Sequence, residues 1–210
     1  MKHILNQAVI DQIQPNYKHQ PLACFLIGAN GSGKSTLRNY LNLSEIQTNI
    51  DPDALNRIAK YQHKENYQLY ASKQALRLFS QAIDQHLNLC MESTLSGKGT
   101  IKRIQQAKAR GYYLIGYFLG VNGVEININR VKNRVLQGGH DIEKSLIIRR
   151  YDESIKNLLK VYSLFDELYI IDNTNEFYEL QFSKYKQALT KNKKMLIDWA
   201  NHLYNDLEHS

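Results

Sequence analysis

The 210-residue chain predicts an α/β fold: a mainly parallel, five-stranded sheet with helices on both faces. Three observations carry this. Short apolar runs alternate along the chain with longer stretches of helical periodicity. The runs are continuously apolar, as strands covered on both faces must be. Most of them end in a glycine or an acidic residue. Parallel strands need crossover helices, so strand–helix alternation and a parallel sheet go together.

In chain order, residues 23–27 (ACFLI) form the first strand and end on Gly28, and a helix follows over 34–43. Residues 47–50 give a second, short strand closed by Asp51-Pro52-Asp53, where the residue before proline is biased away from helix. Between 65 and 87, Leu69, Leu76, Phe79, Ile83 and Leu87 recur at helical spacing and mark one buried stripe. Residues 87–92 (LNLCME) form the third strand. It runs into a glycine-containing loop and a helix over 100–110, for which Gly111 is the C-cap. Residues 112–119 (YYLIGYFL) are the clearest strand. A basic helix over 124–136 leads into Gly138-Gly139-His140-Asp141, and another helix starts near Ile142. Together they make an arginine-bearing helical lid over about 124–160. Residues 168–171 (LYII) are the last parallel strand and end at Asp172-Asn173. A short strand at 177–182 and a helix over 193–207 complete one domain, with a mainly helical tail from about 183 to 210.

At 43% hydrophobic and 22% charged residues the chain is of ordinary globular composition, which excludes a disordered segment. A chain of this size buries roughly 70% of its open-chain surface without help from metals or disulfides. Both cysteines, Cys24 and Cys90, lie inside apolar runs and read as reduced core residues of a cytosolic protein. Residues 1–12 (MKHILNQAVIDQ) are too short and too polar for a signal peptide. No apolar stretch approaches the roughly 18 residues of a membrane span, so a cytoplasmic protein without a membrane association is expected. Lys and Arg number 27 against 20 Asp and Glu. That excess suits nucleotides and other phosphorylated small molecules, and the even spread of the cations speaks against a nucleic-acid groove.

Ligands of such sheets bind at the carboxyl ends of the strands. There, Gly28-Ala29-Asn30-Gly31-Ser32-Gly33-Lys34-Ser35, followed by Thr36, matches G-x-x-x-x-G-K-[ST] between a strand and a helix, the context a phosphate-binding loop requires. Glycines let backbone N–H groups curl around phosphate oxygens that side chains would block. Lys34 is placed to reach the β- and γ-phosphates, the Ser35 hydroxyl to hold Mg²⁺, and the helix N-terminus adds its dipole. The expected fold is therefore P-loop NTPase- or kinase-like, with ATP and Mg²⁺ as its ligands.

Asp53, two residues past the second strand, is either the carboxylate that accepts the proton of an incoming hydroxyl or, like Asp51, a cap of the next helix. Glu92 closes the third strand and is placed either to order Mg²⁺-bound water or to bind a substrate hydroxyl. Ser93 and Thr94 supply hydroxyls beside a flexible basic loop, Ser96-Gly97-Lys98-Gly99, or the Ser/Thr cluster forms a helix-capping turn. Arg130 and Arg134 share a helix face. Arg149 and Arg150 follow on the next helix and, about 100° apart, cannot both face a phosphate. These arginines either close onto the γ-phosphate as a lid or form a solvated basic face. His140 is expected to lock the turn, with Asp141 as N-cap.

In order, LIGANGSGKST, NIDPDALN, MESTLSGKGT, YFLGV, RVKNRVLQGGHDI and LYIIDN resemble the zeta-toxin family of P-loop kinases over about residues 22–173. The resemblance implies ATP-dependent phosphorylation of the amino-sugar 3′-hydroxyl of UDP-N-acetylglucosamine. It implies Asp53 as the base, Glu92 and Thr94 holding the sugar nucleotide, and Lys34 and Ser35 on phosphate and Mg²⁺. Arg134, with Arg149 or Arg150, falls on the γ-phosphate, and Asp172-Asn173 borders the adenine site. An antitoxin protein partner is implied as well. Ser96 stands where family members often carry arginine, and Glu143 where many carry proline. Read from the residues alone, the same motifs fit a kinase for another sugar, a nucleoside or a polynucleotide end, or an ATP-binding regulatory module.

Overall fold

In a computed structural model of the chain, the structure describes residues 7–14, 20–139 and 141–209. The strands are β1 (Leu22–Ile27), β2 (Thr48–Ile50), β3 (Leu89–Ser93), β4 (Tyr113–Gly120), β5 (Glu167–Asp172), β6 (Glu179–Tyr185) and β7 (Ala188–Lys191). The helices are α1 (Gln7–Gln12), α2 (Lys34–Arg38), α3 (Pro52–Tyr61), α4 (Tyr67–Asp84), α5 (Lys98–Ala109), α6 (Val124–Leu136), α7 (Lys144–Leu158) and α8 (Asp198–Glu208).

The five expected strands form the parallel part of one sheet, in the order β2-β3-β1-β4-β5. Every residue of the central strand β1 is buried, and successive side chains enter opposite cores, as the two-residue strand period dictates. Ala23, Phe25 and Ile27 pack with Phe79, Ile104 and Phe118 on one face. Leu22, Cys24 and Leu26 pack with Leu37, Ile115 and Leu119 on the other. The register pairs Ile27 with Ser93 on one side and with Phe118 on the other, and Gly120 with Asp172. All the strand ends named by the sequence thus come to one edge, with the β1 end between those of β3 and β4. The connection after β1 runs toward the β2 edge, and the one after β3 returns past β1 to β4, so the strand order reverses here and a crevice opens. Among the described residues, no helix is long and apolar enough to cross a membrane.

Several elements depart from the sequence reading. The short strand expected at 177–182 lies at 179–185 as β6, antiparallel to β5, and an unexpected β7 pairs with it, so the sheet has seven strands among the described residues. Residues 183–191, expected in a helical tail, lie partly in those strands, and the tail helix is confined to α8. β7 is four residues with largely exposed side chains, so it carries no apolar signature of its own and is held by hairpin pairing. In α4 the buried stripe is Ala71, Ala75, Phe79, Ala82 and Ile83, whereas Leu69 and Leu76 are more than half exposed. Small residues face the core there because α4 packs against both β2 and α3. The helix expected over 34–43 ends at Arg38, after which Tyr40 and Leu41 bond three residues back rather than four. Asp141 does not cap α7: its carboxylate accepts from the Ile142 N–H, and Glu143 holds the cap position. His140 lies outside the described residues. Gly111 follows the end of α5 with φ of 77°, the left-handed geometry expected of it.

Cys24 and Cys90 face each other across the β1–β3 register as buried free thiols. Contact with Cys90, and then burial, pushes the Cys24 thiol well up, which suits inert packing groups.

Candidate active site

The loop between β1 and α2 is tied down through its carbonyls, one after another. Lys34 Nζ donates to Gly28 O at 2.8 Å and to Ala29 O at 2.9 Å. Asn127 Nδ2 reaches Asn30 O at 2.6 Å, and Arg130 reaches Gly31 O at 3.5 Å. Asn173 Nδ2 donates to Ser32 O at 2.8 Å, and the Tyr178 hydroxyl donates to Gly33 O at 2.9 Å. The C=O and N–H of a trans peptide point in opposite directions. Fixing the carbonyls of Asn30, Ser32 and Gly33 outward therefore turns the N–H groups of Gly31, Gly33 and Lys34 toward the cavity they line. Helix α2 has only five residues, so the attraction for anions rests on this nest of N–H groups more than on a macrodipole. Gly33, at φ of 100°, has no room for a side chain: a Cβ would lie 2.3 Å from Asn173 Nδ2.

The cavity holds about 400 Å³ and is also lined by Arg130, Asn133 and Arg134 of α6 and by Gln137 just after it. Burial pushes the Lys34 ammonium below its usual range, and the carboxylates of Glu92 and Asp53 draw it back up. A bound phosphate would do the same. Arg134 Nη1 stands 3.6 Å from Asp53 Oδ2 across the cleft. Arg150 donates to Asn30 Oδ1 at 2.8 Å and so belongs to the loop. Arg149 is not brought here: it is exposed and pairs along α7 with Glu153 at 3.8 Å.

The alternatives for the acidic strand ends divide cleanly. Asp51 is the N-cap of α3, its Oδ1 accepting from the N–H groups of Asp53 (2.9 Å) and Ala54 (3.1 Å). Proline at the first helical position assists, because no N–H is lost there. Asp53 is thereby relieved of capping and turns its carboxylate to the cavity. Glu92 is 5% exposed and accepts from Ser35 Oγ at 2.8 Å, with Arg38 3.7 Å from its other oxygen, which has no hydrogen-bond partner. Burial pushes Glu92 above the ordinary carboxylate range, and the Ser35 bond opposes that. A hydroxyl and a buried carboxylate oxygen with spare lone pairs are hard oxygen donors, a set that fits Mg²⁺ beside phosphate. Thr94 is not brought to the loop. Its hydroxyl bonds Ser96 (2.8 Å), and Ser93 bonds Thr100 (2.7 Å) and the Leu95 N–H (3.0 Å), so the cluster forms a turn before α5.

Asp53 also lines a second cavity, of about 380 Å³, on the other side from the loop. Arg57, Lys60 and Tyr61 of α3, Tyr67 of α4 and Gly138-Gly139 surround it. Asn56 borders it with a buried Oδ1 that has no hydrogen-bond partner. Sequence reasoning missed these residues because, singly, they look like ordinary surface groups. It also missed Asn127 and Tyr178. Asn127 carried a signal: it falls on the apolar face Val124, Ile128, Val131 of its helix, where a polar residue must have a partner.

Comparison with known proteins agrees with this architecture. A protein of Haemophilus influenzae of uncharacterized function is 42% identical over 132 residues, 63% of this chain and 94% of its own. A structure from the PezAT chromosomal toxin-antitoxin system of Streptococcus pneumoniae covers 97% of the chain, and 91% of its own length, with a TM-score of 0.57 at 18% identity. The complex of AvrRxo1-ORF1 and AvrRxo1-ORF2 with sulphate ions superposes over 90% of this chain and 63% of its own, with a TM-score of 0.65 at 15% identity. At these identities the likeness is one of fold. The family model described as Zeta toxin matches residues 7–182, from α1 through the loop and helices α6 and α7 into β6, and the chain belongs to the zeta toxin family.

Proposed function

We propose that the protein is a kinase that uses ATP and Mg²⁺ to phosphorylate a hydroxyl of a UDP-amino sugar such as UDP-N-acetylglucosamine. The observation that carries this reading is the position of Asp53 on the partition between two cavities. One is walled by the phosphate loop, the other by two cations and two tyrosines. A phosphoryl donor in the first and a hydroxyl acceptor in the second would meet at this carboxylate. Arg57 and Lys60, one helical turn apart, suit the acceptor's own phosphates, and Tyr61 and Tyr67 suit a flat ring.

In this reading the acceptor oxygen forms a bond to the γ-phosphorus while the bond from that phosphorus to the β–γ bridging oxygen breaks. Asp53 takes the hydroxyl proton. Lys34, Arg134 and Arg150 offset the negative charge on the transferring group and on the leaving ADP. Ser35 and Glu92 would hold the Mg²⁺, which when bound supplies further charge neutralisation at the phosphates. Glu92 then serves the metal side rather than the sugar. The likeness to the PezAT system supports an antitoxin-type protein partner, and a cytoplasmic location is consistent with these substrates.

The test is incubation with ATP, Mg²⁺ and a panel of UDP-sugars, with a 5′-hydroxyl oligoribonucleotide in a parallel arm, followed by mass spectrometry. We expect one added phosphoryl group on a UDP-amino sugar. Asp53→Asn should lower the rate by about 10²- to 10⁴-fold while ATP affinity stays within about twofold. Phosphorylation of the oligonucleotide alone would overturn the acceptor. ATP binding without transfer to any acceptor would point to a regulatory module.

A further inference from the structure

Helix α8 lies beyond the residues matched by the family model, yet its Trp199 reaches the back of the phosphate loop. The indole Nε1–H donates to Asp172 Oδ1 at 2.8 Å. Asp172 is almost fully buried and also accepts from the Thr174 hydroxyl (2.7 Å) and the Thr174 N–H (3.0 Å). Thr174 in turn accepts from the Asn122 N–H at 2.8 Å, and its carbonyl receives Arg130 Nη2 at 3.3 Å. Arg130 bonds the loop at Gly31, and Asn173, between Asp172 and Thr174, bonds it at Ser32. Hydrogen bonds and the short backbone segment 172–174 together therefore connect α8 to two consecutive loop carbonyls.

The contact is shaped as well as bonded. The indole edge rests directly on Gly120, where a Cβ would come within 2.4 Å of Cη2, and the Gly120 carbonyl accepts from the Asn173 N–H at 2.9 Å. The same ring lines, with Ser32 and Asn127, a small cavity behind the loop. The helix that carries it is firmly seated: Ala200, Leu203, Tyr204 and Leu207 are buried in the larger core. This is the chain's single tryptophan.

We infer that Trp199 is a positioning residue for the donor-phosphate site. Through Asp172 and Thr174 it sets where Arg130 and Asn173 hold the loop carbonyls, and hence where the loop N–H groups point. The inference rests on the reading of this loop as an ATP site and adds to it an element outside the family-matched region. Removing one bond from the relay leaves Asp172 partly unsatisfied and lets the turn shift, so the effect should appear in nucleotide affinity.

The experiment uses the full chain. Mg²⁺–ATP and ADP are titrated by calorimetry into the wild type and into Trp199→Phe, Thr174→Val, Thr174→Ser and the Trp199→Phe/Thr174→Val pair. Melting temperatures are measured alongside, and the emission of Trp199 is followed wherever it is retained. We expect nucleotide binding to change the wild-type emission. Each of Trp199→Phe and Thr174→Val should weaken ATP by about three- to tenfold, the value of one hydrogen bond. The double variant should be little worse than the weaker-binding single, because both cut one relay. Thr174→Ser, which keeps the hydroxyl, should bind as the wild type does. A merely structural role would instead lower the melting temperature and the folded fraction while leaving the dissociation constant of the folded protein unchanged, which would overturn the inference. Unaltered affinity in both single variants would overturn it without touching the ATP reading. A wild type that binds no ATP at all would bring down both.

Discussion

The two sides of Asp53 are built differently. On the loop side, every carbonyl from Gly28 to Gly33 accepts a side-chain hydrogen bond, and the donors come from α2, α6, β5's end and the residue just before β6. On the other side, Arg57, Lys60 and Tyr61 are exposed and Asn56 keeps an unbonded buried oxygen; on the partition itself, Asp53 meets Arg134 of the loop-side cavity in a 3.6 Å ion pair between groups more than a third exposed. Such a pair contributes little in water. The loop's own carbonyls are satisfied before any ligand arrives, with Glu92 Oε1 beside them left open to a cation, whereas the walls of the second cavity are largely exposed and leave Asn56 Oδ1 open to a ligand. An enzyme that must hold a donor rigidly while admitting and releasing an acceptor gains from this division, since preorganised dipoles need no rearrangement during reaction.

The largest effect should come from breaking the finished side. Lys34→Ala removes the charge proposed to face the donor phosphates and strands two loop carbonyls, each costing about 1–3 kcal/mol if left buried and unbonded. Transfer should fall by at least about a hundredfold, ATP binding should weaken, and the melting temperature should drop. Single-turnover assays with calorimetry and thermal melts on the same preparation would check this. Loss of transfer with unchanged ATP affinity and stability would mean that Lys34 does not organise the loop.

Changing the open side should separate acceptor from donor. In Arg57→Gln/Lys60→Gln the KM for the phosphorylated acceptor should rise by about tenfold or more, as expected for lost charge-assisted hydrogen bonds. The dissociation constant for ATP should stay within about twofold. Steady-state kinetics against both substrates tests this. A rise in the ATP constant instead would show that the second cavity belongs to the donor and that Asp53 does not divide donor from acceptor.

This difference also governs what the sequence could reveal. The loop was legible because its chemistry is local: eight consecutive positions, from Gly28 to Ser35, encode a backbone shape and two ligand groups. The parallel strands were legible because burial on both faces leaves continuous apolar runs. The choice between Asp51 and Asp53 was not, since either could cap α3 until the cap geometry assigned that role to Asp51. The clasp was hidden for another reason. Asn173 and Tyr178 act on carbonyls more than 140 positions away, and nothing near them in the chain records that distance. The α4 stripe misled because leucine dominates any hydrophobic count, although alanine is what close packing against β2 and α3 requires. The strand at 177–182 was legible in part as β6, but β7 left no mark because an edge strand with exposed side chains need not be apolar.

The smallest effects lie in the two neighbouring arginines of α7, where geometry separates residues that sequence could not. Arg150 bonds Asn30 within the loop, and Arg149 points away to Glu153. Arg150→Gln should reduce turnover by about tenfold, because it removes both a loop contact and a charge near the donor. Arg149→Gln should change turnover by less than about twofold and stability by no more than about 0.5 kcal/mol, the usual worth of an exposed pair one helical turn apart. Comparing the two variants under identical assay conditions cancels the shared loss of one positive charge. What remains is the direction in which each side chain points. Equal losses would mean that α7 turns when substrates bind and that Arg149 enters the cleft, in which case the loop side is less finished than its hydrogen bonds indicate.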